Sequence, residues 1–545
     1  MQDYAELSVL LVDPNPGMRA SLRNMLNQSG ITRIDEAVSS GTAIGQLNKK
    51  SYDIILCEYD LGNGSGDNGQ DGQQLLEDLR HHKLIAQWTI FIMLTSEGVY
   101  SKVISAAELT PNDYVLKPFT VDVLQQRIAR AIERRSYFLP VYQLIGMGNI
   151  RQAITTCLEC EARHARHAIE FARLRAELHL RLNELEEAEL IYQTILLTRP
   201  VGWAHLGLAR CQFGLQKYPE AQQTLDNLVA HNPKFMAAYD LLAQTHEAMG
   251  QNVLAKRILE DAVAISPHMV RRLRHLGEVA FETGDVTVAE KAFKQVVQKA
   301  KYSEFRDPED HVNLVKTLVR KGDASQASGV IRDLERSLRG NANTEVCRSV
   351  AAGLLAELMD NPIAAAAELR NAVRAMSMTR GLSTNLKVGL ALSCLKNKLD
   401  HEAMSLMVEL TNDTESGISM DDAVAVFEKA GRHDLAQGVG ETISRQLDDL
   451  LLDAAEKRAH GDLRAAIDTL NGALRKAPSN MALLPAAASA MLKQLDDLGW
   501  EAPVAEQCSH LLERIRRLDP GHPALPILLN QYTATQRKYG ISTTA

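Results

Sequence analysis

Four polar side chains at the ends of short apolar runs could do chemistry in the first part of the chain. Asp13, Glu58 and Thr95 each close such a run, and Lys117 follows another. Carboxylates can hold Mg²⁺, whereas a hydroxyl and an ammonium group can neutralise phosphoryl oxygens. These residue types suit phosphoryl chemistry, provided that the fold brings them to one place.

Short β-rich runs alternate in this region with segments of helical periodicity. The runs are too short for helices and almost continuously apolar, which is typical of strands buried on both faces of a parallel sheet. They lie at 9–12, near 34–38, and at 54–57, 90–94 and 114–116. Helices are predicted at 16–29, 41–49, 72–81, 98–108 and 121–135. The pattern predicts a doubly wound, five-stranded parallel sheet with the four polar groups at the carboxyl ends of its strands.

Residues 1–135 resemble the receiver domain of response regulators. The matching segments are Val9-Leu10-Leu11-Val12-Asp13, Tyr52-Asp53-Ile54-Ile55-Leu56-Cys57-Glu58, Leu94-Thr95-Ser96 and, most specific, Lys117-Pro118-Phe119-Thr120. The resemblance implies a flavodoxin-like fold in which Thr95 and Lys117 read a phosphoryl group. It also implies that Tyr114 is the aromatic residue whose rotamer reports the switch.

Two departures from the family pattern bear on phosphorylation. Glu58 stands where the family has its phospho-accepting aspartate, and Pro14 where the family usually has a second acidic residue. Asp13 and Glu58 then form the acidic pocket and are the obvious ligands for Mg²⁺, a weak set for an ion that normally needs more than one well-placed carboxylate. We therefore expect no bound cofactor, and a receiver that is not phosphorylated at Glu58. The Glu58 carboxylate is expected to pair with Lys117 and to bond Thr95.

Other interpretations of the pocket stay open. Glu58 could imitate the activated state, although one carboxylate lacks the three acceptor oxygens of a phosphoryl dianion. The receiver could also serve only as a docking module, or Asp60 could accept the phosphoryl group instead. A Gly-rich stretch at 61–72 separates Glu58 from the Asp71-Gly72 pair by more residues than the family usually has, and it predicts a flexible loop over the site.

From about residue 137 the sequence repeats itself as helical hairpins. Pro200, Pro233 and Pro267 are 33 and 34 residues apart. The units around Trp203-Ala204-His205-Leu206-Gly207 and Tyr239-Asp240-Leu241-Leu242-Ala243 resemble the tetratricopeptide repeat, whose small residues let paired helices approach. We expect a receiver at 1–135, well-formed repeats at 137–335 and degenerate repeats at 336–545, the latter two forming an all-α superhelical solenoid.

The predicted output of such a solenoid is protein binding. Its concave groove can hold a peptide or helix of a partner. Alignment of the repeats places five charged residues on this inner face: Arg271, Arg274, Glu278, Lys316 and Arg320. They could bind an acidic peptide, or they could form a solvated and partly self-paired helix face. The family's grip on a C-terminal carboxylate is not supported, because Asp240 and Gln244 stand at two of its positions.

Composition and charge exclude several classes of function. The chain has 60 Lys and Arg against 68 Asp and Glu, a net charge of -8, which argues against a dedicated nucleic-acid binder. No apolar run approaches the length that a bilayer needs. The 7 cysteines and the acidic N-terminus indicate reduced thiols in the cytoplasm rather than an exported, disulfide-bonded protein.

The sequence therefore predicts a bacterial-type signalling adaptor or scaffold in a two-component pathway. No nucleophile or general base accompanies the acidic pocket, so we do not expect an enzyme. The expected partners are a protein in the groove and a sensor kinase or other signalling protein at the receiver, and the chain could form a homodimer. The alternative is a working phosphorelay regulator, phosphorylated on an acidic residue of the receiver, with output through the repeats.

Overall fold

The computed structural model describes residues 4, 6–62, 72–96, 111–267, 269–300, 306–376, 379, 381–413, 416–478 and 480–540. The chain forms two compact units, Met1–Lys321 and Gly322–Ala545. The predicted helix at 98–108 and most of the Gly-rich stretch lie outside the described residues. All the charged residues predicted for the receiver pocket and the groove lie in the first unit.

The first unit begins with five parallel strands in the order β2-β1-β3-β4-β5. The strands are β1 (Ser8–Val12), β2 (Arg33–Ala37), β3 (Ile54–Glu58), β4 (Ile90–Ser96) and β5 (Asp113–Lys117). Leu10 and Val12 lie in the core on one face of the sheet, whereas Val9 and Leu11 lie in the core on the other. This two-sided burial explains the continuous apolar runs. The predicted doubly wound parallel sheet is confirmed.

Four described helices belong to this part of the chain. They are α1 (Pro16–Gln28), α2 (Ser40–Leu47), α3 (Gly72–His81) and α4 (Val121–Gly146). The Asn15 side chain accepts hydrogen bonds from the backbone N–H groups of Gly17 and Met18, and so caps α1. Pro16 occupies the first turn, where its missing N–H costs nothing.

Helix α4 extends well beyond its predicted end. The sequence prediction that it stops at residue 135 is wrong, because the helix continues to Gly146. Its apolar stripe continues at helical spacing: Leu124 and Ile128 pack in the sheet core, whereas Val141 and Ile145 pack against the helices that follow. This second burial stabilises the added turns despite Pro140. The helix therefore crosses the predicted boundary between receiver and repeats.

Paired helices fill the remainder of the first unit. They are α5 (Ile150–Arg163), α6 (Ala168–Arg181), α7 (Leu185–Thr198), α8 (Gly202–Gly214), α9 (Tyr218–His231), α10 (Met236–Ala248), α11 (Asn252–Ile265), α12 (Val270–Glu282), α13 (Val286–Ala300) and α14 (Pro308–Lys321). Two glycines allow close approach between neighbouring helices: a Cβ on Gly207 would lie 2.3 Å from the Tyr192 ring, and one on Gly277 would lie 2.7 Å from the Phe293 ring. The predicted repeat solenoid is confirmed.

The second unit is also helical over its described residues. Its helices are α15 (Ala324–Ser337), α16 (Thr344–Leu358), α17 (Pro362–Met376), α18 (Thr384–Lys396), α19 (Asp400–Asn412), α20 (Met420–Lys429), α21 (His433–Ala459), α22 (Leu463–Lys476), α23 (Leu483–Asp497), α24 (Ala502–Leu518) and α25 (Ala524–Lys538). Gly353 repeats the close-approach pattern, since a Cβ there would lie 3.0 Å from the Leu369 side chain. The division into well-formed and degenerate repeats stays a prediction.

Candidate functional site

The strand register brings the predicted pocket residues to one edge of the sheet. Glu58 ends β3 beside Leu94 of β4, and Lys117 ends β5 beside Ser96 of β4. Asp13 follows β1, and its backbone N–H donates a hydrogen bond of 3.1 Å to a carbonyl of β2. Because the carboxyl ends of parallel strands meet at one edge, residues far apart in sequence become neighbours here.

Lys117 joins the two acidic residues of the pocket. Its Nζ donates to Glu58 Oε2, and it lies 3.3 Å from Asp13 Oδ2. The Asp13 side chain is 2% exposed and that of Glu58 13% exposed, so both charges are largely removed from water. One ammonium group therefore balances two carboxylates, and the predicted contact between Glu58 and Lys117 is present.

Thr95 and Tyr114 lie near this pair but make different contacts from those expected. The Thr95 side chain is buried, and its hydroxyl donates to the Ser96 carbonyl oxygen at 3.4 Å. Within the described residues, therefore, the predicted bond between Thr95 and Glu58 is not formed. The Tyr114 ring is partly buried against the apolar core on one face of the sheet. The roles predicted for these two residues stay predictions.

The segment after β3 is anchored to the pocket at both of its described ends. The Asp60 N–H donates to Glu58 Oε1 at 3.3 Å, and the exposed Asp60 carboxylate accepts from the Gly62 N–H at 2.9 Å. At the other end, the Gly72 N–H donates to the Tyr59 carbonyl at 2.7 Å. A Cβ on Gly72 would lie 2.5 Å from the Glu58 carbonyl oxygen, so only glycine fits where α3 meets the end of β3.

The pocket residues fit a divalent cation poorly. Mg²⁺ needs a near-octahedral shell of oxygens, normally with more than one carboxylate available to it. Both carboxylates of this pocket already share the Lys117 ammonium group. In the described part of the chain, no group of three or more His, Cys, Asp or Glu side chains is arranged for a metal ion.

The five charged residues predicted for the groove do not form one free basic surface. Arg274 makes a two-pronged contact of 2.6 and 2.9 Å with Asp310 of α14. Arg320 donates to the Phe281 carbonyl at 2.7 Å, near the end of α12, where a cation favours the helix dipole. Lys316 is exposed and lies 4.9 Å from the centre of the Phe281 ring.

Burial raises the pKa of Glu278, the acidic member of the predicted groove set, although the neighbouring His275 and Arg274 charges oppose the rise. Arg271 lies exposed on the same helix. The contacts of Arg274 and Arg320 within the chain agree with the self-paired alternative for these two residues. The binding role of the set as a whole stays a prediction.

Sequence reasoning missed two further ion pairs between inner helices of successive repeats. Arg272, whose side chain is 0% exposed, bonds Asp240 of α10 at 2.7 and 2.8 Å. His275 lies 2.6 Å from Glu247. Burial acts to lower the pKa of His275, but the Glu247 carboxylate raises it above its ordinary value. In the sequence, these pairs could have been found as residues of opposite charge separated by about the length of one repeat.

Contacts on both sides hold α4 between the sheet and the repeats. Arg135 forms an ion pair of 3.0 Å with Asp53, just before β3, and Arg134 forms one of 2.6 Å with Glu170 of α6. Burial alone would raise the pKa of Asp53, but hydrogen bonds from Ser8 and from Arg135 hold it below its ordinary value. The helix is thus fixed to the receiver and to the first repeats at adjacent residues.

Comparisons with known proteins match these two parts of the chain separately. The family described as the response regulator receiver domain matches residues 9–129, and tetratricopeptide repeat families match residues 202–245 and 241–304. The chain is 30% identical over 128 residues to chemotaxis protein CheY of Pseudomonas aeruginosa, covering 24% of this chain and 98% of that protein.

Two solved structures are also similar to parts of the chain. A response regulator receiver domain protein from Clostridium thermocellum shares 21% identity, covering 24% of this chain and 97% of that one, with a TM-score of 0.20. A tetratricopeptide repeat protein from Parabacteroides merdae shares 15% identity, covering 45% and 93%, with a TM-score of 0.32.

Among the described residues, no helix is both long enough and apolar enough to cross a membrane.

The sheet, its pocket, the family match and the identity to CheY agree over the first part of the chain. The chain therefore belongs to the response regulator receiver family, and joins its receiver domain to protein-interaction repeats as a two-component signalling protein.

Proposed function

We propose that this protein is a signalling adaptor whose receiver works without phosphorylation at Glu58 and whose repeats bind a protein partner. The contact of Lys117 with Glu58 and Asp13 carries the proposal. The ammonium group that would neutralise a phosphoryl group is already neutralised by the chain's own carboxylates. Neither a receiver nor a tetratricopeptide repeat is typically catalytic, which favours binding as the output.

The extra methylene of glutamate also works against phosphorylation at this position. Phosphoryl transfer depends on an in-line arrangement of attacking and leaving oxygens. A displacement of about 1 Å can cost about 100-fold in rate. Glu58 reaches that much further from the strand end than the family's aspartate, and Pro14 removes the second acidic residue that would help to hold Mg²⁺.

The output side of the proposal rests on α4. The helix is continuous from the receiver core to the core of the first repeats. Ion pairs from Arg135 and Arg134 hold it on both sides. A change in the receiver that moves α4 therefore moves the inner face of the first repeats with it.

Treatment of the full-length protein with acetyl phosphate and Mg²⁺, followed by intact-mass measurement, tests the receiver side. We expect no added phosphoryl mass on the wild-type chain. The matched control is the double variant Pro14→Asp, Glu58→Asp, which restores the family's residues at both positions. This variant is expected to gain a phosphoryl group, which shows that the donor and the remainder of the pocket are competent.

A labile phosphoryl group on the wild-type chain would overturn the proposal and favour the second candidate, a phosphorelay regulator. Asp60 is the specific acceptor to examine, because it is exposed and its N–H already bonds Glu58 Oε1. If Asp60→Asn abolishes the added mass, Asp60 is the acceptor. If only Glu58→Gln abolishes it, the acceptor is Glu58.

Affinity capture with the full chain and with Glu58→Ala tests the connection between pocket and output. We expect the variant to retain its partner with an altered yield, because the Lys117 ammonium then loses one of its two carboxylates. Identical partners and yields would remove the pocket from the regulation of binding.

A further inference from the structure

Two ion pairs join the inner helices α10 and α12 of successive repeats. Arg272 contacts Asp240 at 2.7 and 2.8 Å, and His275 Nε2 lies 2.6 Å from Glu247 Oε1. Asp240 and Glu247 are two turns apart on α10, which is about 10 Å along the helix axis. Two contacts at this spacing hold α10 and α12 together and also fix the angle between them.

The two pairs differ in the chemistry of their cations. The Arg272 guanidinium stays protonated at any pH at which a protein is folded, whereas an imidazole loses its proton near neutral pH. The pair that joins α12 to α14, Arg274 with Asp310, also uses an arginine. Among these three inner-face pairs, only that of His275 can change its charge near neutral pH.

Carboxylates from two helices surround the His275 imidazole. Burial lowers the pKa of His275, but the Glu247 carboxylate of α10 and the charges of Glu278 and Asp240 together raise it above its ordinary value. The charge of His275 acts in turn on Glu278, together with the charges of Arg274 and Asp310. The protonated imidazole is therefore the favoured form in this setting.

Charged side chains on the other helices that pack beside α12 have contacts of their own. These are Asp310 of α14 with Arg274, Lys256 of α11 with Asp285, Glu290 of α13 with Lys294 and Lys321, and Lys316 of α14, on which the charges of Glu282 and Glu278 act. Among the ion pairs of the described residues, Glu247 is joined to His275 alone. Loss of the imidazole charge therefore leaves Glu247 without a cation.

We propose that the pair of His275 with Glu247 is a pH-sensitive contact, which holds the end of α10 against α12 when His275 is protonated and loosens it when the proton is lost. The proposal rests on the proposed function, because it names a regulation of the inner face that binds the partner. A neutral imidazole can still donate a hydrogen bond, but a charge-assisted bond is about twice as strong. The pair of Arg272 with Asp240 stays in place, and α10 can then pivot about it.

The raised pKa of His275 gives the direction of the effect. Stabilisation by this pair is fully present below the ordinary histidine value, near about 6.5, and is lost as the pH rises through the raised pKa of the folded protein. The inner face is thus held most firmly at mildly acidic pH.

NMR titration of the imidazole C–H signals of the full-length protein tests the protonation directly. The signal of His275 is assigned by its loss in His275→Gln. We expect a pKa above the ordinary histidine value in the wild-type chain and a lower one in Glu247→Gln, because the amide keeps the shape of the carboxylate and removes its charge.

A double-mutant cycle with His275→Gln and Glu247→Gln tests whether the contact stabilises the repeats. Urea unfolding is followed at about pH 6 and about pH 9, on either side of the histidine range. We expect a favourable coupling at the lower pH that falls by about half or more at the higher pH. Far-UV circular dichroism verifies that each variant is folded.

Hydrogen exchange at about pH 6 locates the effect within the helices. His275→Gln should accelerate exchange in the last turn of α10, around Glu247, and change the first turns around Asp240 less. The matched control is His231, which lies exposed at the end of α9 and 2.7 Å from the Asn227 carbonyl oxygen of its own helix. His231→Gln with Glu247→Gln should show no coupling at either pH.

A His275 signal that titrates at or below the ordinary value, or one that Glu247→Gln leaves unchanged, would overturn the inference. Equal coupling at both pH values would overturn it as well, since the contact would then act without the charge. None of these measurements involves a phosphodonor or a partner. The proposed function, judged by mass measurement and affinity capture, can therefore fail or stand independently of them.

Discussion

The receiver pocket and the inner face of the repeats both gather opposite charges, but they balance them differently. In the pocket, one ammonium group from Lys117 contacts the two carboxylates of Asp13 and Glu58. On the inner face, Arg272 and Arg274 each make a two-pronged contact with one carboxylate, that of Asp240 or Asp310. Within the described residues, the pocket is thus one positive charge short, whereas these two pairs are matched.

This difference indicates what each region is built to do. A matched and buried pair fixes the register between neighbouring helices and leaves no charge for a partner. Among the described residues, the cluster of Asp13, Glu58 and Lys117 holds more negative than positive side chains at the strand ends. Under the proposed function, Glu58 supplies there the negative charge that other receivers acquire from a phosphodonor.

The largest expected effect concerns the matched pair. Arg272→Ala removes a guanidinium group that is 0% exposed and leaves Asp240 without its partner. We expect the free energy of unfolding to fall by about 3 kcal/mol, the lower end for breaking a buried pair, because the Asp240 carboxylate left behind is 30% exposed. Urea denaturation followed by far-UV circular dichroism measures the change.

An exposed pair is the control for this prediction. Arg163→Ala removes a helix-surface contact with Glu159 that is expected to contribute about 0.5 kcal/mol or less. If the two alanine variants lose similar stability, the buried pair does not fix the register of the repeats, and the contrast with the pocket disappears.

The pocket could largely be predicted from the sequence because strand ends obey a simple rule. Asp13, Glu58 and Lys117 close or follow buried apolar runs, and parallel strands bring such ends to one edge. Whether these three side chains come together depends on the order of the strands and hardly on side-chain packing. The bond predicted between Thr95 and Glu58 is not formed in the described residues, because a hydroxyl can rotate toward any of several nearby acceptors and the sequence does not show which acceptor it will meet.

The inner face was harder to predict because its contacts depend on helix rotation. The sequence left open whether Arg274 binds an acidic peptide or pairs within the chain, and the structure shows that it bonds Asp310, 36 residues further along the chain. Arg272 is buried, although a rotation of its helix by one residue would turn it toward solvent. Such a rotation about the helix axis would exchange the buried and exposed arginines. The repeat pattern fixes the rotation of a helix only where a close contact requires a small residue, as at Gly277.

The second prediction removes the single cation of the pocket. Lys117→Met leaves two largely buried carboxylates next to each other, and we expect a loss of about 2 kcal/mol in the free energy of unfolding at neutral pH. Urea denaturation of the variant and of the wild-type chain measures the change.

The double variant Lys117→Met, Glu58→Gln is the control for repulsion. It removes one of the two negative charges and should recover most of the lost stability at neutral pH. A double variant no more stable than Lys117→Met would show that the loss comes from packing of the lysine stem rather than from charge.

The smallest expected effect lies at the connection between the two regions, the ion pair of Arg135 with Asp53. A double-mutant cycle with Arg135→Ala and Asp53→Asn should give a coupling free energy of about 1 kcal/mol, because both side chains are partly exposed. The pKa of Asp53 is lowered in the folded protein, so this stabilisation is present above the ordinary aspartate range near about 3.9 and is lost as the pH falls through the lowered pKa.

Hydrogen exchange of α4 amides in Arg135→Ala should accelerate near residue 135. Exchange that accelerates equally throughout α4 and the repeats would instead mean that the helix transmits the change as one rigid body, and that the pair serves to set its position rather than to close a local opening.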